Sequence, residues 1–123
     1  MTVEKYFHIT NNLLEHHWTV VDNQVKCERF STIGGQISGR STLLDESYID
    51  FSEEVYVFDK KFVIGRYRYQ YMKGVEVFRY DNYPQHPGIV PPFHHKHTSK
   101  GVLQLETAPK LIEIIQEAVL HMY

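Results

Sequence analysis

Aromatic and basic side chains alternate along two neighbouring stretches of this sequence, and no other feature restricts the fold as strongly. The stretches are Tyr67-Arg68-Tyr69 and Phe78-Arg79-Tyr80. Because successive side chains of a β-strand point to opposite faces of the sheet, each stretch predicts a strand with an aromatic core face and a basic outer face. Lys73-Gly74 lies between the two stretches and suits a two-residue hairpin turn. The sequence therefore predicts an antiparallel hairpin over residues 62–80.

A two-residue turn fixes which side chains of this hairpin lie opposite each other. It places Arg68 opposite Arg79 and Arg66 opposite Asp81. Two like charges directly opposite each other in a sheet are unfavourable, so a negative group is expected near the first pair. That group is either a carboxylate of the protein, with Glu54 as the first candidate, or a phosphate of a ligand. A turn of three or four residues would change this register.

The rest of the chain predicts an α+β fold, in which an antiparallel meander sheet of four to six strands is flanked by N-terminal and C-terminal helices. Apolar side chains recur at helical spacing from Val3 to about His16 and from Ala108 to about His121. The sequence between them alternates with a period of two and is broken by turn signals such as Asp22-Asn23. The length fits a single domain over residues 1–123.

Composition and charge exclude several classes of protein. Cys27 is the only cysteine, so the chain can form neither an internal disulfide nor a zinc-thiolate cluster, and a reducing compartment is expected. The first residues lack the basic and apolar layout of a signal peptide, and no apolar run is long enough to span a bilayer. We therefore expect a cytoplasmic protein with no membrane partner. The formal net charge of −2 means that anion binding depends on a local basic cluster.

Histidine is concentrated in one proline-rich segment, Arg79 to His97, which is the candidate functional region. Four of the eight histidines lie in this segment. Histidine is the side chain whose unperturbed pKa lies near neutrality, and it is the commonest metal ligand. If residues 93–97 are extended, His95 and His97 share one side of the chain, whereas His94 and Lys96 share the other.

Two chemistries fit this group of side chains. In the first, two imidazoles act as general base and general acid on an RNA phosphodiester, while basic side chains stabilise the charge on the phosphate. RNA supplies its own 2′-hydroxyl nucleophile, so this reaction needs no cofactor. In the second, histidines and Asp81 bind a divalent metal that activates water. For the first chemistry the candidates are His86, His94, His95 and His97 for catalysis, Arg68, Arg79 and Lys96 for phosphate binding, and Asp81, Asn82 and Glu54 for orientation.

The metal-independent reaction is the leading hypothesis. His95 and His97 are its preferred acid–base pair, because two proton carriers then share one side of the chain. A non-catalytic module that binds nucleic acid or protein is the alternative from a different class, since aromatic side chains can stack on bases and a basic face suits a phosphate backbone. The sequence leaves the oligomeric state open, and a homodimer is compatible with it.

Three blocks of the sequence resemble the signature of the TumE-like toxin family. They are Phe78-Arg79-Tyr80-Asp81-Asn82, His86-Pro87 and Phe93-His94-His95-Lys96-His97, and the resemblance extends in matching order from about Gly39 to the C-terminus. It implies a small prokaryotic protein that is the toxin of a toxin–antitoxin pair, acts on RNA and is bound by a helix-turn-helix antitoxin. The positions that match the family motif are Arg79, Asp81, Asn82, His86, His94, His95, Lys96 and His97.

The chain departs from the family pattern at three places. Tyr83 replaces the usual alanine, Gln85 stands where a histidine is common, and Pro92-Phe93 reverses the usual order. A histidine at position 85 therefore cannot be essential to an activity that this chain shares with the family. Together, the residues and the resemblance predict an endoribonuclease toxin.

Overall fold

The computed structural model describes residues 1–122 and contains a seven-stranded antiparallel sheet with two helices packed on one face. The strands are hydrogen-bonded in chain order, so the sheet is a simple meander. Within the described residues, neither helix combines the length and apolarity needed to cross a membrane. The elements are α1 Val3–His16, β1 Val20–Arg29, β2 Gly34–Leu43, β3 Tyr48–Phe58, β4 Lys61–Lys73, β5 Val75–Asp81, β6 His95–Thr98, β7 Gly101–Gln104 and α2 Leu111–Leu120.

The antiparallel sheet and its two flanking helices confirm the predicted fold class, but the prediction of four to six strands is wrong. Asp22-Asn23 was expected to be a turn, whereas both residues are paired within β1. Asn23 is held there because its side-chain oxygen accepts a hydrogen bond of 2.6 Å from the Ser41 hydroxyl of β2. Gly39 also lies inside β2, where a Cβ atom would come within 2.3 Å of the Gln24 carbonyl oxygen. This glycine therefore permits close strand approach instead of ending a strand.

The helix boundaries agree with the sequence at one end of the chain and differ at the other. Helix α1 covers Val3–His16 as predicted, and the Thr2 hydroxyl caps it by accepting a hydrogen bond from the Lys5 amide. Helix α2 begins at Leu111, three residues later than predicted. Pro109 disfavours a helical conformation at the residue before it, so the chain enters the helix only after the proline.

The β4–β5 hairpin has a different register from the one predicted. Lys73 pairs directly with Val75, and Gly74 alone makes the turn with a φ of 76°. A bulge beside Tyr71 then shifts the pairing by one further residue. Arg68 consequently lies opposite Asp81, and the predicted pairs of Arg68 with Arg79 and of Arg66 with Asp81 are wrong.

The two shifts together move the register by an even number of residues, so the faces of both strands are as predicted. Tyr67, Tyr69, Tyr71 and Phe78 are buried between the sheet and the helices. The basic side chains point to the opposite face, which neither helix covers. The alternation of the sequence therefore predicted the faces of the strands correctly, whereas the predicted two-residue turn gave the wrong cross-strand pairs.

A buried carboxylate fastens α1 to the sheet. Glu53 of β3 accepts hydrogen bonds from the hydroxyl groups of Tyr6 in α1 and Tyr69 in β4. The glutamate is 2% exposed, and its burial raises the pKa of the carboxyl group above its ordinary value. The folded protein therefore holds this proton more tightly than the unfolded chain does.

We expect the free energy of unfolding to fall as pH rises from the ordinary glutamate value of 4.5 through the raised pKa of Glu53. The sign follows because a proton favoured by the folded state is lost over that range. Glu53→Gln removes the titrating group, so its urea-unfolding free energy should depend less on pH than that of the native protein. Glu15→Gln, an exposed change on α1, is the control. Identical pH profiles for the native protein and Glu53→Gln would contradict the assignment.

Candidate functional site

A cleft with a volume of about 420 Å³ opens on the face of the sheet that the helices leave uncovered. Strands β4, β5 and β6 form its floor, and the proline-rich segment between β5 and β6 forms its rim. Tyr83, Gln85 and Pro87 line the rim. The charged and titratable side chains that line it are Arg68, Arg79, Asp81, His86, His95 and His97. The structure therefore gathers six of the ten predicted site residues around one cavity.

Antiparallel pairing of β5 with β6 positions the centre of this cleft. Asp81 lies directly opposite His95, and Arg79 lies directly opposite His97. Directly paired residues of neighbouring strands share a face and have Cβ atoms close together. The four side chains therefore form a two-by-two group whose geometry is set by backbone hydrogen bonds.

His95 is held at both ring nitrogens. Its Nε2 atom lies 3.0 Å from Asp81 Oδ1, and its Nδ1 atom lies 2.6 Å from the Phe93 carbonyl oxygen. The His95 side chain is only 2% exposed. A neutral imidazole has one N–H and can donate only once, whereas both of these neighbours are acceptors. The arrangement is satisfied by a second proton shared with Asp81, or by a metal ion in its place.

His97 has a ring nitrogen without a hydrogen bond. Its Nε2 atom is buried and lies 3.4 Å from Asp81 Oδ2, but forms no hydrogen bond to any residue in the range 1–122. Burial lowers the pKa of His97, and the positive charge of Arg79 lowers it further. A neutral ring with an available lone pair is therefore favoured at neutral pH.

His86 approaches the same group from the rim. Its ring centroid lies 5.5 Å from that of His97 and 5.8 Å from that of His95. The His86 Nδ1 atom lies 3.0 Å from the Pro87 carbonyl oxygen and is suited to donate to it, which directs the lone pair to Nε2. Three imidazoles from two different segments thus meet at one cleft.

Two arginines contribute positive charge to the cleft. Arg79 Nε donates to Asp81 Oδ2 over 3.2 Å, which fixes the guanidinium beside the histidines. Arg68 Nη2 donates to Gln70 Oε1 over 2.8 Å, and its guanidinium forms no ion pair with a carboxylate of residues 1–122. The carboxylate near both arginines is Asp81, which lies opposite Arg68 in the sheet and is bonded to Arg79.

Glu54 does not lie between the arginines, so that expectation is wrong. It sits at an irregularity in the pairing of β3 with β4, and its Oε1 atom accepts a hydrogen bond of 2.9 Å from the Arg66 backbone amide. The bulge directs this carboxylate to the backbone of β4 and away from the cleft. Asn82 does have an orienting contact, because its side chain bonds the backbone of Tyr67 and Gly65 and ties the end of β5 to β4.

His94 and Lys96 point to the face opposite the cleft. The His94 ring stacks on Tyr67, and its Nδ1 atom lies 2.8 Å from the Tyr67 hydroxyl. Lys96 Nζ lies 2.6 Å from the Glu117 carboxylate of α2. The predicted alternation is therefore observed over residues 94–97, and it separates these two side chains from His95 and His97. Phe93 has a φ of 70° and precedes β6, so the extended segment does not begin there as predicted.

The sequence did not identify Tyr83 as a site residue. The Tyr83 amide donates to Asp81 Oδ1 over 3.0 Å, and its ring lies 5.5 Å from the Arg66 guanidinium. Tyr83 replaces the alanine that is usual in the family pattern, and this departure is the sequence feature that could have identified it. The ring forms part of the rim, so it contributes the shape of the cleft and not a titratable group.

The cleft also contains a donor set of the kind that binds metals. One ligand atom each from Asp81, His95 and His97 lies within 4.8 Å of the other two. Two imidazoles and one carboxylate are a set used by divalent transition metals with open coordination positions. The geometry therefore suits both proton transfer and metal binding.

The family model described as Toxin TumE matches residues 9–122, which is nearly the whole chain. The match includes every residue of the cleft. The comparisons with curated proteins and with solved structures return no significant match.

We expect His97 to titrate below its ordinary pKa of 6.5 in the folded protein. Arg79→Gln removes the second-largest cause of the lowered pKa, so the pKa should rise towards 6.5 without reaching it, because burial is the largest cause and remains. NMR titration of the ring protons measures both values. Arg40→Gln, which removes a guanidinium from the same face outside the cleft, should leave the pKa unchanged. A native pKa at or above 6.5 would contradict the assignment.

Proposed function

The chain belongs to the TumE toxin family, and we propose that it is an RNA-cleaving toxin whose active site is the histidine cleft. Family membership supports a toxin role and implies an antitoxin partner. The observation that carries the proposal is the meeting of three imidazoles and two arginines at one cavity. Cleavage of RNA through its 2′-hydroxyl requires proton transfer at two atoms and stabilisation of a charged phosphate, and this set supplies all three functions.

His97 is the general base in this mechanism. Its Nε2 atom is buried against Asp81, so the other ring nitrogen, Nδ1, accepts the proton of the ribose 2′-hydroxyl, and the resulting oxygen attacks the adjacent phosphorus. Burial and Arg79 lower the pKa of His97, which keeps the ring unprotonated and able to accept that proton. Deprotonation is therefore available at neutral pH without a metal.

His86 is the general acid. As the P–O5′ bond breaks, the leaving 5′-oxygen takes the Nε2 proton of the imidazolium form of His86, whose Nδ1 proton stays bonded to the Pro87 carbonyl oxygen, and a 2′,3′-cyclic phosphate remains on the upstream strand. His95 was the preferred partner of His97 from sequence, but both of its nitrogens are engaged by Phe93 and Asp81. Those contacts suit His95 and Asp81 to hold the other side chains of the cleft in place. The His86 ring is engaged at one nitrogen only, so it is the better proton donor.

The arginines stabilise the transition state. Charge accumulates on the non-bridging oxygens of phosphate, and a fixed cation at that position lowers the barrier most. Arg79 is fixed by Asp81, and Arg68 lies on the same wall without an ion pair to a carboxylate of residues 1–122. Lys96 is assigned no phosphate contact, because it is paired with Glu117 on the other face.

The antitoxin of this pair is proposed to be a helix-turn-helix protein, as the family resemblance implies. RNA is the proposed substrate and the cytoplasm the proposed compartment. A homodimer remains compatible with the uncovered face of the sheet. The antitoxin could neutralise the toxin most directly by covering the cleft.

A metal-dependent hydrolase is the second candidate, supported by the close approach of Asp81, His95 and His97. In that case Asp81, His95 and His97 would hold a divalent metal, which would supply an activated water. His95 would then use its Nε2 atom as a ligand while Nδ1 donates to Phe93. The buried Nε2 atom of His97, which has no hydrogen bond within residues 1–122, supports this candidate.

Replacement of His97 or His86 by alanine should reduce RNA cleavage by a factor of about 10²–10⁴, the usual contribution of general acid–base catalysis. A fluorogenic RNA oligonucleotide measures the rate, and circular dichroism checks the fold. Growth inhibition in cells without the antitoxin should fall in parallel. His8→Ala, an exposed change on α1, is the matched control. Undiminished cleavage by the double variant would rule out this mechanism.

A chelator separates the two candidates. We expect untagged protein to cleave RNA at an unchanged rate in EDTA, and to leave DNA of the same sequence intact because DNA lacks the 2′-hydroxyl. Metal analysis of the same preparation should find less than one ion per chain. Cleavage that is lost in EDTA and restored by Zn²⁺ or Mn²⁺, and that Asp81→Asn abolishes along with metal binding, would favour the hydrolase.

A further inference from the structure

One polar row of side chains crosses the whole sheet through the histidine cleft. Each member is the direct register partner of the next, so no strand interrupts the row. Because directly paired residues share a face, all seven lie on the uncovered side of the sheet. From β1 to β7 the row is Lys26, Ser38, Ser52, Arg68, Asp81, His95 and Gln104.

A second row runs beside the first through His97. Its members are Gln24, Arg40, Asp50, Gln70, Arg79, His97 and Val102, again in direct register. Only Val102, at the edge of the sheet, is apolar. The surface formed by the two rows is therefore polar almost throughout, which suits a polar ligand.

The charge of these rows is opposite to that of the whole chain. Four of their side chains are basic and two are acidic, while the chain as a whole carries −2. Both carboxylates are already bonded to basic groups, because Asp50 accepts two hydrogen bonds from Arg40 and Asp81 contacts Arg79 and His95. Lys26 and Arg79 are also paired with Glu28 and Glu76, so Arg68 is the one basic side chain of the rows without a carboxylate partner among residues 1–122. An extended anion therefore meets its unpaired positive charge at Arg68, in the middle of the rows.

A second cavity of about 310 Å³ lies along the rows and adjoins the histidine cleft. Arg68 lines both cavities, so its guanidinium stands between them. The cavity exists because Ser38 and Ser52 are small, and within residues 1–122 neither hydroxyl is hydrogen-bonded to another residue. These hydroxyls can donate to phosphate oxygens and accept from ribose hydroxyls.

We propose that this second cavity is a subsite for a neighbouring nucleotide, and that RNA crosses the sheet along the two rows. The proposal rests on the proposed function, because it takes the histidine cleft as the site of cleavage. Three strand spacings separate His95 from Ser52, which is roughly 14 Å at the usual spacing of strands in a sheet and exceeds one nucleotide. Arg68 binds the phosphate between the two nucleotides. Recognition is of the backbone, and therefore largely independent of base sequence.

Binding of oligonucleotides that cannot be cleaved tests the subsite separately from catalysis. The probes are fluorescent 2′-O-methyl oligoribonucleotides of two, four and six nucleotides, whose blocked 2′-oxygen cannot attack phosphorus. We expect affinity to rise with length in the native protein. Ser52→Leu fills the second cavity and should weaken binding of the longest probe about tenfold, or about 1.4 kcal/mol, while leaving the two-nucleotide probe unaffected.

Two further variants keep the test decisive. Ser38→Leu fills the same cavity from the neighbouring strand and should reproduce the effect if Ser52→Leu is unstable. Thr42→Leu places the same leucine side chain on the same face outside the cavity and should leave all affinities unchanged. Equal affinity for all probe lengths, or equal weakening of the short and long probes by Ser52→Leu, would overturn the subsite.

The outcomes also distinguish the subsite from the proposed function. Length-dependent binding without cleavage of ordinary RNA would support the subsite and contradict the proposed nuclease activity. Cleavage of RNA, together with binding that does not depend on probe length, would support the nuclease activity and contradict the subsite. Where both hold, Ser52→Leu should raise KM for a six-nucleotide RNA substrate with little change in kcat, because Ser52 lies outside the cleft in which the chemistry occurs.

Discussion

The antiparallel pairing of β5 with β6 is the interaction on which the cleft depends. Backbone hydrogen bonds between these strands set Asp81 against His95 and Arg79 against His97, before any side-chain contact is considered. A slip of β6 by one residue would turn His95 and His97 to the helix-covered face, where Lys96 now lies, and would leave Asp81 and Arg79 without their partners. Since β6 is only four residues long, its register is held by additional contacts, among them the Phe93 carbonyl that fixes His95 and the Lys96 ion pair with α2.

One carboxylate organises the charges within that frame. Asp81 is almost completely buried, and it lies within reach of His95, His97 and Arg79 while also accepting the Tyr83 amide. A buried carboxylate is costly unless it is surrounded by donors, so these groups are drawn towards it. The same convergence that stabilises Asp81 brings the imidazoles to distances at which they can act together. This explains how a chain of net negative charge can present a local site for an anion.

The sequence predicted the faces of the strands more successfully than the contacts between them. Alternation in Tyr67-Arg68-Tyr69 and over residues 94–97 requires only a period of two, which any strand imposes. The partner of Arg68, in contrast, depended on a one-residue turn at Gly74 and a bulge beside Tyr71, and neither leaves a clear local signal. Similarly, a small or polar residue inside a strand, such as Gly39, resembles a turn until the close approach of its neighbour is known. The separation of Lys96 from the cleft followed from alternation, but its pairing with Glu117 required the position of α2.

Strand β6 has the cleft on one face and contacts helix α2 through the other. Tyr80 and Lys96 both contact the Glu117 carboxylate, directly behind strands that carry Asp81, His95 and His97 on their front. Consecutive residues of one short strand cannot move independently. A displacement of α2 would therefore be transmitted through Lys96 to His95 and His97 on the other face of β6. Helix α2 thus acts as a brace for a cleft that none of its atoms lines, and shortening the chain at this end would loosen the site while leaving every residue of the cleft in place.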